Sequence, residues 1–149
     1  MPKLSTAEIQ PTYTANGYKF RRRVDGGALP GFNDQRDQTS LFYTTGRTMA
    51  QWAKPLAIFV ANDHNAVLSA TEKHPAVMLD LDGTSAEYHD GWWEANARGD
   101  GPVWRSGRVH SLTIRTVANA VAIRAPSSVP LTEMISIAKS IPLVARHPA

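Results

Sequence analysis

The chain has 149 residues, 42% hydrophobic and 19% charged, with a formal net charge of +3; such a length suits one domain with a sizeable core, and such a balance excludes a disordered chain. The absence of cysteine excludes disulfides, Cys-ligated zinc and thiol catalysis together. No apolar run approaches the roughly 20 residues of a membrane-spanning helix, and residues 1–8 lack the apolar core of a signal peptide.

Residues 1–17 read as a weakly ordered lead-in, broken by Pro2, Pro11 and Asn16-Gly17, and residues 18–149 as a single domain. A strand is expected over 18–24; strict alternation would put Lys19, Arg21 and Arg23 on one face and Tyr18, Phe20, Arg22 and Val24 on the other. That face is the one concentrated basic stripe, open to an acidic surface, and a nucleic-acid partner is not expected. Residues 26–40 are polar and rich in turn formers, so they read as a long loop. A short strand follows over 41–44, a helical turn over 48–53, and a continuous apolar strand over 56–60. Residues 66–73 are ambiguous between helix and loop.

The next strand, 77–81, runs into Asp82-Gly83, a strong two-residue hairpin signal. Ala86, Tyr88 and Trp92 continue on the return strand. From Trp104 a last β pair begins, with strands over 108–115 and 119–125 that alternate apolar and polar residues. Then the period changes: Leu131, Met134, Ile135, Ala138 and Ile141 recur at helical spacing. Ser127 and Ser128 would supply cap oxygens, Pro130 would sit in the first turn and Pro142 would stop the helix. The expected fold class is α+β: a mainly antiparallel, curved β-sheet with an amphipathic helix, about 131–141, packed on it.

Three constellations could carry chemistry. Asp80-Leu81-Asp82-Gly83-Thr84 after an apolar strand resembles the first motif of haloacid-dehalogenase-type phosphohydrolases. The resemblance implies Asp80 as nucleophile, Asp82 as general acid/base and Mg²⁺ held partly by Asp80, with Thr113 and Lys139 as stand-ins for later motifs. Only about 65 residues of the 149 follow Thr84, too few for the βα units of that parallel sheet. A hairpin whose strand carries one outward Asp is the competing explanation. The five histidines, His64, His74, His89, His110 and His147, show no metal-ligand spacing. Tyr88, Trp92, Trp93 and Trp104 cluster in sequence; adjacent Trp92 and Trp93 cannot both face inward on a regular strand, so one is a candidate binding aromatic.

Taken together, the Asp-Gly hairpin with Gly83-Thr84-Ser85-Ala86-Glu87-Tyr88, then Val103-Trp104-Arg105-Ser106-Gly107-Arg108, two strands, and a helix ending Ile137-Ala138-Lys139-Ser140-Ile141 resemble a known pattern. It looks like the extracytoplasmic domains of bacterial anti-sigma-factor-type and lipoprotein-sorting-type proteins. The likeness spans roughly residues 76–142 and implies a sheet under helical cover, no catalysis, and an apolar surface for a lipid, acyl chain or partner protein. The expectation is therefore a non-enzymatic, extracytoplasmic-type binding or regulatory domain. Its ligand or partner segment would lie between sheet and helix, against Trp92, Trp93, Tyr88, Met134 and Ile135. No metal or cofactor is expected. The compartment stays open, an extracytoplasmic one being favoured if a leader or anchor once preceded the chain. The alternative is a Mg²⁺-dependent phosphohydrolase acting through Asp80 and Asp82.

Overall fold

A computed structural model describes residues 4–15, 17–26, 38–45, 55–66, 75–94 (side chains through 92) and 103–146. In chain order these hold α1 (Thr6–Ile9), β1 (Lys19–Asp25), β2 (Gln38–Thr44), β3 (Leu56–Ala61), β4 (Val77–Leu81), β5 (Thr84–His89), β6 (Trp92–Glu94), β7 (Val103–Arg105), β8 (Val109–Arg115), β9 (Ala120–Pro126), α2 (Leu131–Ser140) and α3 (Pro142–Arg146). The expected helical turn over 48–53 and most of the ambiguous 66–73 lie outside the described residues.

Seven strands form one antiparallel sheet in the order β1-β2-β3-β9-β8-β5-β4, and β6 with β7 makes a separate two-stranded ribbon. β3 and β9 lie at the centre, which explains their apolar composition. Leu56, Ile58, Val60, Val121, Ile123 and Ala125 point into the larger core, while Ala57, Phe59, Ala61, Ala120 and Ala122 point into a smaller one on the opposite face. The larger core is the helix side. There α2 contacts β8 and β9 and buries Met134, Ile137, Ala138 and then Ile141, an i, i+3, i+4, i+7 stripe. Fully burying Met134, Ile137 or Ile141 contributes roughly 1.5–3 kcal/mol apiece.

The stripe is rotated slightly from the expected one: Ile137 is at its centre, and Leu131 and Ile135 are half-buried at its margin. Pro130 is the N-cap rather than a first-turn residue, and no side chain caps the helix. Ser127 Oγ instead donates to the Gly107 carbonyl. Pro142 ends α2 but also begins α3, which buries Leu143 and Val144; proline has no N–H to lose at a helix start.

The described part of the expected weakly ordered lead-in, residues 4–15, is built into the domain. Ser5 and Glu8 cap α1 reciprocally, Ser5 Oγ accepting the Glu8 N–H and Glu8 Oε1 accepting the Ser5 N–H. Ile9 is fully buried in the larger core. The Thr12 N–H donates to the Ser140 carbonyl, and the Tyr13 hydroxyl to the Glu133 carboxylate.

β1 departs from simple alternation. Phe20 pairs with Tyr43 and Arg22 with Phe42, so Arg21 is the extra residue of a bulge. Beyond it the faces invert. The Arg22 guanidinium lies over the Phe42 ring, and Arg23 turns to the helix side, where it donates to the Leu4 carbonyl, Thr6 and Asp25. The expected common face of Lys19, Arg21 and Arg23 is therefore broken at Arg23, and Arg22 joins Lys19 and Arg21 on the face of Phe42 and Thr44.

Candidate functional site: two grooves beside the β4–β5 hairpin

The hairpin follows from its turn chemistry. Asp82 and Gly83 adopt φ of 55° and 95°, both positive as a two-residue type I′ turn requires, and Leu81 pairs with Thr84. The Gly83 N–H donates to Asp80 Oδ1 at 2.7 Å, and Lys139 Nζ of α2 donates to Asp82 Oδ2 at 2.6 Å. The Lys139 hydrogen bond, then its charge, lowers the Asp82 pKa below its ordinary 3.8. One carboxylate thus braces the turn and the other ties it to the helix.

On the helix side of this hairpin lies a cleft of about 140 Å³ lined by Leu81, Thr84, Ile114, Lys139, Val144 and Ala145. Its floor is apolar: Leu81, Ile114 and Val144 are buried members of the larger core. Exposed Lys139 and Ala145 stand at its rim. At about 30 Å³ per water the space suits one aliphatic or aromatic side chain or the end of an alkyl chain.

On the opposite face a groove of about 450 Å³ is lined by His64, Met78, Gly83, Thr84, Ser85, Glu87 and Arg115. Its charges satisfy one another. Arg115 Nε donates to Glu87 at 2.9 Å and Nη1 to the carbonyls of His64 and Ala66 at 2.7 and 2.6 Å. That saturation makes the larger groove a strut between sheet and loop.

The residues expected to share a ligand are dispersed. Trp92 is fully buried on the face away from the helices, with its ring stacked on Phe59 at 5.5 Å and the Arg124 guanidinium over both rings. It belongs to the β6–β7 ribbon rather than to the return strand of the hairpin. The side chain of Trp93 is outside the described residues. Met134 is fully buried under α2 and Ile135 half-buried. The Tyr88 hydroxyl donates to His110 Nδ1 at 3.0 Å, while His110 Nε2–H donates to the Val129 carbonyl at 2.6 Å; a carbonyl can only accept, which fixes that tautomer. Tyr88 is thereby committed to bracing the approach to α2.

Asp80 and Asp82 are both exposed, and among the described residues β4 is an antiparallel edge strand, without the codirectional neighbours of the phosphohydrolase motif. Among the described residues no group of three or more acidic or histidine side chains could hold a metal ion, and no helix is long and apolar enough to cross a membrane. No family model, no curated protein and no solved structure matches the chain.

The lining of the helix-side cleft was hidden from sequence reasoning. Leu143-Val144 after Pro142 was the available signal: an apolar pair continuing past a helix stop needs its own burial.

Proposed function

We propose that the chain is a non-enzymatic binding or regulatory domain that receives an apolar group between its sheet and its C-terminal helices. The observation that carries this reading is the apolar-floored cleft formed by Leu81, Ile114 and Val144 under a rim bearing Lys139. It keeps the expected location, between sheet and helix, and moves the contacts from Trp92 and Met134 to the hairpin end. An apolar floor beside the Lys139–Asp82 pair favours a guest with a short apolar part and a polar end left at the rim. The turn-bracing duties of Asp80 and Asp82 support a structural role for both carboxylates. The extracytoplasmic setting rests on the resemblance of residues 76–142.

Calorimetric titration of the full chain with decanoate tests the proposal. Saturable binding is expected, weakened about tenfold or more in Ala145→Phe, where the new ring fills the cleft from the rim. Absence of saturable binding, or equal binding by Ala145→Phe, would overturn the cleft as the ligand site.

A further inference from the structure

We infer that β4 is an acceptor edge for an extended segment of a partner protein, which adds an eighth strand beside it and lays one apolar side chain against Leu81 at the outer wall of the helix-side cleft. The inference rests on the reading just given and names the kind of guest.

β4 ends the sheet order, pairing only with β5 among the described residues. A two-residue turn makes Leu81 and Thr84 a hydrogen-bonded pair, and the alternation of an antiparallel ladder then turns the N–H and C=O groups of Leu81, Leu79 and Val77 toward β5. Those of Met78 and Asp80 point the other way, toward an edge left unpaired among the described residues. An unpaired row of this kind is a template for another strand. Its side chains are also unusually bare: Val77 is 59% and Met78 61% exposed, on an edge only five residues, about 17 Å, long.

The edge is continuous with the cleft. Leu81, the last residue of β4, is part of the cleft lining, and Val77 and Leu79 share its face. A strand added beside β4 brings its own helix-side residues next to Leu81, at the outer wall of the cleft, with Ile114 two strands further in. On the opposite face Asp80 is exposed and has no cationic partner among the described residues. The complementary segment therefore alternates apolar residues toward the helices with basic residues toward Asp80. A second copy of this chain fits less well. Antiparallel pairing about Leu79 would set two Asp80 carboxylates diagonally about 7–8 Å apart on one face with no cation between them.

The test uses a fluorophore-labelled, end-capped peptide of sequence TKIKIKT, followed by anisotropy against the full chain. Saturable binding is expected, weakened about tenfold or more in Met78→Pro, in Asp80→Asn, and for the peptide with Glu in place of Lys. Met78→Pro removes an outward N–H and leaves the β4–β5 ladder intact, a placement proline tolerates on edge strands; Asp80→Asn keeps an oxygen to accept the Gly83 N–H and removes only the charge. No binding up to about 1 mM, or binding indifferent to both substitutions, would overturn the inference. So would a dimer in sedimentation that dissociates in Met78→Pro, because the occupant would then be a second copy. Should decanoate bind while the peptide does not, the strand-addition inference falls alone. Should neither bind, the cleft falls with it.

Discussion

Lys139 Nζ donates to Asp82 Oδ2 across 2.6 Å, so a residue of the last long helix is fastened to the turn of a hairpin at the sheet edge. Both groups are substantially exposed, and pairs of this sort add little to stability. Their importance is positional, because Lys139 is also at the rim of the helix-side cleft.

Acid should loosen this fastening in a defined direction. The folded pKa of Asp82 lies below its ordinary 3.8, through the hydrogen bond and charge of Lys139. The pair's contribution is therefore complete above that value and disappears as pH falls through the lowered one. Thermal melts of the parent and Asp82→Asn should differ at neutral pH and converge as pH falls through the lowered value. A constant difference across that window would show that the carboxylate charge is not what matters.

Burial pushes the Tyr43 hydroxyl up to about 12, with nearby Gln10 pulling weakly the other way. Its oxygen is buried without a hydrogen-bond partner among the described residues. Stability from the neutral phenol is present below about pH 10, and it is lost as pH rises through the folded value. Tyr43→Phe should thus be neutral or stabilising at pH 7, since an unsatisfied polar atom is removed. It should also flatten the alkaline limb of a denaturation profile. A loss above about 2 kcal/mol at pH 7 would reveal a partner for that hydroxyl.

Trp92 is a packing residue. Packed against both Phe59 and the Arg124 guanidinium, it should cost about 3–5 kcal/mol when replaced by alanine, measured by urea unfolding. The same substitution should leave decanoate binding unchanged in protein that remains folded, because the cleft is on the other side of the sheet. Lost binding in a folded Trp92→Ala would return the ligand to the expected tryptophan.

Gly91 should resist substitution. Its φ is +144°, and a Cβ there would approach Trp104 Nε1 to 2.5 Å. Gly91→Ala should destabilise the chain and shift the emission of Trp104; unchanged emission and melting would mean that the ribbon adapts freely.

The antiparallel sheet was legible because its strands carry strong local signals. The Asp82-Gly83 turn dictates its own geometry, and the uninterrupted run Leu56, Ala57, Ile58, Phe59, Val60 fits a strand buried on both faces. The bulge at Arg21 was not legible, since a single extra residue in an arginine run leaves no mark on composition. Nor was the burial of Trp92, which depends on the β6–β7 ribbon crossing Phe59, a contact between residues far apart in sequence. The cleft escaped for a related reason. It joins Leu81, Ile114 and Val144 from three separate elements, each of which alone reads as ordinary core. The ordered start of the chain had a visible cue in Ser5 and Glu8, three residues apart.

The central claim is that an apolar guest lodges between the hairpin end of the sheet and the C-terminal helices. Intermolecular nuclear Overhauser effects from the terminal methyl of isotope-labelled decanoate to the protein test it most directly. The account predicts cross-peaks to the methyl groups of Leu81, Ile114 and Val144. Cross-peaks to the rings of Phe59 and Trp92 instead would contradict it.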